Sequence, residues 1–263
     1  SARILFDTVD LHHIREMRAA EHAGNTRLLR LARRTRRREL KLIRQSDLTF
    51  VVSPWEKTCL EQLAPDADIR LLSNIHQVHP HGPGFEDRHG MIFIGGWGHP
   101  PNRDAIHWLV RDILPLVRRQ LPDITLHLVG DLPEEVRAPL QAPGVRIHGR
   151  VPDLEPLLQC SRLALAPLRY GAGVKGKINT AMSHGVPVVA TSVGVEGMSL
   201  TDGHDVLVAD TAADFADAVV RVHGDKALWQ TLRDGGIENV RCHFSIETAR
   251  ACLESALGTP RRR

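Results

Sequence analysis

Apolar, β-branched runs alternate with segments of helical length along almost the whole chain, and that alternation constrains the fold more than any other feature. Strand candidates are "RILFDT", "LTFVVS" and "IRLLSN" before residue 75, followed by "MIFIGG", "TLHLVG", "VRIHG", "LALAPL", "PVVAT" and "VLVAD". Most of the intervening segments carry helix start signals. Pro54 opens "PWEKTCLEQLA", Asn102 can cap "RDAIHWLVRDILPLVRRQL", Asp153 can cap "LEPLLQC" and Thr211 can cap "AADFADAVVRVHG". Strands and helices in strict alternation give parallel sheets covered on both faces, so the chain reads as an α/β protein with a doubly wound, Rossmann-like sheet.

The alternation breaks once, at "HQVHPHGPGFEDRHG" (His76 to Gly90), where Pro, Gly and His cluster without periodicity. The expected organisation is a partial lobe over residues 1–78, a linker over 79–90 and a C-terminal domain over 91–263, whose last helix can pack back on the first lobe. Six strands follow the break, enough for a complete doubly wound domain. Only three precede it, a thin core for an independent unit, so the first part is expected to be the end of a larger lobe or to be completed by a partner.

Composition narrows the function classes. The 263 residues are 42% hydrophobic and 25% charged, ordinary for a globular protein and unlike a fibrous or disordered one. No apolar run approaches the roughly 18 residues of a membrane span, and "SARILFDTVD" has no basic segment leading into an apolar core, so a cytoplasmic protein is expected. Cys59, Cys160, Cys242 and Cys252 form no C-x-x-C pair, and the histidines form no H-E-x-x-H. Neither a disulfide frame nor a zinc site is indicated.

The net charge of +3 is unevenly spread. "RLLRLARRTRRRELKLIR" (Arg27 to Arg44) holds eight arginines and one lysine against the single acid Glu39. Leu29, Ala32, Leu40 and Ile43 recur at near-helical spacing, which makes the segment an amphipathic helix with a basic outer face. Two readings stay open, a solvated face and a peripheral contact with an anionic membrane, at the inner face of the membrane for a cytoplasmic protein. Aromatic stacking residues are absent, which argues against nucleic acid.

The densest motif is "LRYGAGVKGKINTAMSHGVPVVATSVG" (Leu168 to Gly194), with three glycines and two lysines between Gly171 and Lys177. Gly171, Gly176 and Lys177 match the start of a phosphate-cradling P-loop, yet Ile178 stands where a hydroxyl must ligate magnesium. A turn that merely closes a strand-to-helix connection is the plain alternative. In a doubly wound sheet, ligands bind beyond the carboxyl ends of the strands, where backbone N–H groups point outward. Gly95, Gly96 and Trp97 lie at that edge, as do Gly130 and Asp131, His148 to Val151, and Gly194 to Gly197. Gly173 lets backbone approach an anion, and Lys175 and Lys177 supply charge for a diphosphate.

From about Met91 to Leu257 the pieces "FIGGWGHPPNRDAIHWL", "LHLVGDLP", "VRIHGRVPDLEPLLQCSRLALAPLRYGAGVKGKINTAMSHGVPVVATSVGVEGM" and "DVLVADTAADFADAV" resemble, in order and spacing, the donor-binding domain of group 1 (family 4) glycosyltransferases of the two-lobed GT-B fold. "ILFDTVDLHHIRE" through "LLSN" resembles the end of the family's N-terminal lobe. The resemblance implies a retaining transferase that takes a nucleotide-diphosphate sugar as donor and a glycan or lipid-linked acceptor, in cell-surface polysaccharide assembly such as lipopolysaccharide. It puts Gly95 and Gly96 near the donor phosphates, the backbone of Arg150 and Val151 at the base, and Asn102, Gly130, Tyr170, Gly171, Gly173, Lys175, Lys177, Thr180, Gly194 and Glu196 around the donor. Asp10 and His12, after the first strand, would face the cleft as catalytic candidates.

Two departures matter. "GGWGHPPN" lacks the positive pair that often follows the glycine turn, which makes Lys175 the expected phosphate partner. Ala172 and Thr180 stand where retaining members commonly carry two glutamates eight apart. A non-catalytic nucleotide-sugar-binding or assembly domain is therefore the second reading. No cofactor or metal is expected, since lysine with helix N-terminal amides can stabilise a leaving diphosphate.

Overall fold

The computed structural model describes residues 2–79 and 82–258. Residues 80 and 81 of the expected linker, and 259–263 of the expected C-terminal domain, lie outside the described residues. All nine strand candidates form strands, in two parallel sheets.

The first sheet has the order β1 (Leu5–Asp7), β2 (Leu48–Val51), β3 (Ile69–Leu71). Helices α1 (His12–His22) and α2 (Thr26–Gln45) link β1 to β2, and α3 (Pro54–Leu63) links β2 to β3. Period-two alternation divides β2 between two cores. Val51 packs with Leu11, Ile43, Leu60 and Ile69 on one face. Leu48 and Phe50 pack on the other with Ala256 of α12 (Ile246–Gly258), so the last helix crosses back onto the first sheet.

The second sheet has the order β6 (Val145–Gly149), β5 (Leu126–Val129), β4 (Met91–Ile94), β7 (Leu163–Ala166), β8 (Val188–Ala190), β9 (Leu207–Val208). Met91 and Phe93 face one layer, built from α4 (Pro100–Trp108), α5 (Leu114–Gln120) and α10 (Ala212–Gly224) with Ile106, Ile113, Phe215 and Val219. Ile92 faces the opposite layer, with Ile178 and Met182 of α8 (Gly176–Ser183) and Val240 of α11 (Lys226–His243). Short helices α6 (Glu134–Leu140), α7 (Glu155–Cys160) and α9 (Ser192–Val195) complete the connections. A π turn at Leu109–Ile113 joins α4 to α5 just before Pro115, a residue that can neither donate to the helix ladder nor tolerate the carbonyl four residues back.

Pro54 and Thr211 start their helices as expected: Ser53 Oγ and Thr211 Oγ1 accept from the amides of Glu56 and Asp214. Asp153 Oδ1 accepts from Glu155 N at the start of α7. Asn102 does not cap. The helix begins at Pro100, one turn earlier, because proline fits the first helical position, and this frees the Asn102 side chain for the site described next.

Candidate functional site

Strand order reverses between β4 and β7, so the crevice of a doubly wound sheet must open there. The loop after β4 is the Gly95–Gly96 turn, and the loop after β7 is the glycine-rich stretch from Gly171. Both borders of the crevice are the motifs that the sequence singled out.

At the β4 border the packing is close. Gly130 has φ +147, and a Cβ there would lie 2.4 Å from Gly95 O. Asn102 Nδ2 donates to Gly96 O at 3.1 Å, while Asn102 Oδ1 accepts from Lys177 Nζ at 2.6 Å. A Cβ on Gly95 would stand 2.9 Å from that ammonium. Gly95, Gly96, Asn102, Gly130 and Lys177 therefore form one unit. Burial pulls the Lys177 pKa down to about 7.

Lys175, two residues earlier, points elsewhere. Its ammonium donates to Gly173 O at 2.7 Å and is buried. Burial lowers its pKa to about 8; Glu196, Glu56 and Asp10 oppose the shift and Arg18 adds to it. Lys177 is the lysine under the glycine turn, whereas Lys175, the expected phosphate partner, lies at the contact between the two sheets' loops.

That contact is built around α1. Gly173, φ +69, lets the loop after β7 close against Asp10, since a Cβ there would lie 2.9 Å from Asp10 Cβ. Arg18 grips Glu196 through both carboxylate oxygens, at 2.7 and 2.9 Å, and donates to Gly171 O at 2.7 Å. The His22 ring stacks on Tyr170 with centroids 4.7 Å apart. Glu196 and Tyr170 are accordingly engaged by α1 rather than turned to the β4 crevice.

Asp10, on the loop after β1, and His12, the first residue of α1, are held from behind by two buried carboxylates. Glu56 accepts from the amides of Leu11 at 3.1 Å and Val52 at 3.2 Å. Burial raises its pKa beyond what those amides and Lys175 lower. Glu39, the lone acid of α2, accepts from the amides of His12 and His13, at 2.9 and 3.1 Å, and from His13 Nδ1 at 2.6 Å. Burial opposes its charge, but the His13 ring and these amides outweigh that, and its pKa lies below the ordinary range. Val9 takes φ 60, a strained value for a β-branched residue, next to Asp10. Asp10 pairs with Arg15 through Oδ2; Oδ1 is buried and accepts no hydrogen bond, with His12 Nδ1 3.2 Å away.

The remaining candidates lie farther out. Thr180 Oγ1 donates to Gly176 O within its own helix, at 2.9 Å. Arg150 and Val151 follow β6, the edge strand, tied to the crevice through Gly130 N and Gly149 O at 2.9 Å. Gly194 packs its backbone on Ala166 O, where a Cβ would be 3.0 Å away. Sequence reasoning missed Arg18, Glu39 and Glu56. Only Glu56 had a local signal, the capping box S-P-W-E.

A family model for group 1 glycosyl transferases matches residues 88–225. The chain belongs to this family. Among curated proteins, an uncharacterised 44.6 kDa protein in the cps region of Klebsiella pneumoniae is 26% identical over 163 residues, which cover 58% of this chain and 42% of that protein. The chain thus spans less than half the length of the curated relative it matches. Among solved structures, sucrose-phosphate synthase from Thermosynechococcus elongatus aligns with TM-score 0.72 and 19% identity, over 97% of this chain and 67% of its own. HepE of Anabaena, in complex with UDP-glucose, gives 0.71 and 15%, over 97% and 72%. TarM of S. aureus, crystallised as a variant with fondaparinux, alpha-GlcNAc-glycerol and UDP, gives 0.70 and 16%, over 86% and 46%. At these identities the structural matches establish the GT-B fold, with its two Rossmann-like lobes. Among the described residues no helix is long and apolar enough to cross a membrane.

Proposed function

We propose that this glycosyltransferase chain binds a nucleotide-diphosphate sugar in the crevice between β4 and β7 and that the whole protein transfers the sugar, with retention, to a glycan or lipid-linked acceptor in cell-surface polysaccharide assembly. One observation carries the reading. The strand-order switch point holds a glycine turn, a lysine ammonium and the N-terminus of α8 together, a combination suited to a diphosphate. The relative from a cps region and the neighbours crystallised with UDP or UDP-glucose support the substrate class and the setting.

In this reading the Gly95–Gly96 turn and Lys177 take the diphosphate, and the Arg150–Val151 backbone takes the base. Asp10 Oδ1, which accepts no hydrogen bond within the protein, takes a sugar hydroxyl beside His12 Nδ1. A leaving diphosphate develops charge that the ammonium and the helix amides stabilise without a metal. Titration with UDP-glucose, ADP-glucose and GDP-mannose, followed by thermal shift with and without EDTA, tests it. At least one is expected to raise the melting temperature equally in both conditions, and a shift that vanishes with EDTA and returns with manganese would refute metal independence. Ala172 and the self-satisfied Thr180 favour a second reading, binding without turnover, which a sugar-transfer assay on the full-length protein separates.

The same proposal includes a peripheral membrane contact at the inner face of the membrane of a cytoplasmic enzyme. Along α2, Arg33, Arg34, Arg37 and Arg38 are exposed, and Leu28, Leu31 and Leu42 are 41%, 46% and 48% exposed between them. Each basic side chain contributes about 1 kcal/mol near an anionic surface and less at high salt. Flotation with anionic vesicles is expected at 50 mM salt and lost at about 500 mM. Equal recovery with neutral vesicles would leave α2 as a solvated face.

A further inference from the structure

The two lysines of the glycine-rich loop have opposite surroundings. Lys175 has three carboxylates near it, on Glu196, Glu56 and Asp10. Lys177 has none: its ammonium lies on the Phe93 ring, 4.5 Å from the centroid, with Asn102 Oδ1 as its hydrogen-bond partner. An ammonium carries three donors, so two remain for a ligand. Gly95 lets the backbone turn come close to both groups, because a Cβ there would stand 2.8 Å from Asn102 and 2.9 Å from the ammonium. A buried cation without a counter-charge is costly and loses its proton readily, and an arriving anion reverses both effects.

We infer that Lys177, steered by Asn102, is the cation that receives the donor's diphosphate, and that it captures a proton as the diphosphate binds. The inference rests on the donor-site reading and adds a property that the reading does not require. It also accounts for the glycine turn without a charged pair after it, since the charge arrives from α8 on the other side of the crevice.

The sign follows from the free-state value. With a pKa of about 7, Lys177 is about nine-tenths protonated at pH 6 and about one-tenth at pH 8. A bound diphosphate favours the ammonium and raises that pKa. Each phosphate of a nucleotide-diphosphate sugar has one ester and one anhydride bond, which leaves a single strongly acidic oxygen that holds no proton in this range. His99 is the titratable group facing Lys177; burial first and then Lys177 lower its pKa below 6.5, so it is already neutral at pH 8.

Calorimetric titration with UDP-glucose in buffers of unlike ionisation enthalpy measures the proton directly. Uptake is expected to be about 0.9 proton per ligand at pH 8 and about 0.1 at pH 6, with affinity falling about tenfold between them. Lys177→Arg keeps its charge at every pH, and is expected to bind without proton uptake and without pH dependence. Lys177→Met is expected to bind about 10- to 100-fold more weakly at pH 6. Equal wild-type affinity at pH 6 and 8, or proton uptake that persists in Lys177→Arg, would overturn the inference. If UDP-glucose, ADP-glucose and GDP-mannose all fail to bind the wild type, the donor-site reading itself falls and takes the inference with it.

Discussion

Replacing Gly130 by alanine is expected to lower stability by about 3 kcal/mol or more and to remove nucleotide-sugar binding, although the residue offers no side chain to a ligand. Two costs add. At φ +147 the backbone lies in a region that L side chains rarely adopt, at a cost of about 1–3 kcal/mol. The new Cβ would also lie 2.4 Å from Gly95 O and 2.8 Å from Gly96 N, and neither is the movable end of a side chain. Relief can come only from shifting the Gly95–Gly96 turn, a further 1–3 kcal/mol for overpacking, and the turn is the wall of the crevice. For a chain of this length 3 kcal/mol corresponds to a melting temperature roughly 6–12 °C lower. Gly98→Ala, in the same loop with nothing within 4 Å of its Cβ, is the control and is expected to change little. A Gly130→Ala protein that melts within 2 °C of wild type and binds donor normally would show that this contact is softer than its geometry.

What the sequence made legible here is whatever the chain encodes locally. Each strand is a short apolar run, and the β4 alternation Met91, Ile92, Phe93 already separates the two layers that flank the sheet. Gly95 and Gly130 announced themselves in the same way, since each follows directly on a strand. Partners distant in sequence left no such trace. Lys177 and Asn102 are 75 positions apart, and nothing near either residue says that they meet. Asn102 looked like a helix cap because its residue type suits one, whereas Pro100 had the stronger claim to the first turn. Glu39 looked like an exception within a basic face until α1 was set against α2, where it becomes the acceptor for two amides at the start of the helix beside Asp10. Charge count alone could not separate a carboxylate that serves a neighbouring helix from one that faces water.

Arg88→Met is expected to be the most destabilising of these changes, about 3–5 kcal/mol in urea unfolding, because its guanidinium closes the ends of two helices at once. The residue is fully buried, with no carboxylate among its hydrogen-bond partners. Nη1 donates to Leu158 O at 2.6 Å and Ser161 O at 3.3 Å at the end of α7, Nη2 donates to His184 O at 2.9 Å just past α8, and Nε donates to Pro83 O at 2.8 Å. Burial pulls its pKa down to about 10, with Arg233 adding to the shift, yet the group stays charged at neutral pH and opposes the negative ends of both helix dipoles. Methionine fills much of the volume but donates nothing, so the four carbonyls lose their partner inside the protein. Lysine keeps the charge but not the fork, and Arg88→Lys is expected to recover only part of the loss. Arg241→Met, at an exposed pair with Glu238, is expected to leave stability nearly unchanged. Because α8 begins at the crevice and ends at Arg88, the loss should also weaken UDP-glucose binding under conditions where the protein remains folded. A stability loss below about 1 kcal/mol in Arg88→Met would mean that water satisfies those carbonyls once the guanidinium is gone, and that the anchor at this end of α8 lies elsewhere.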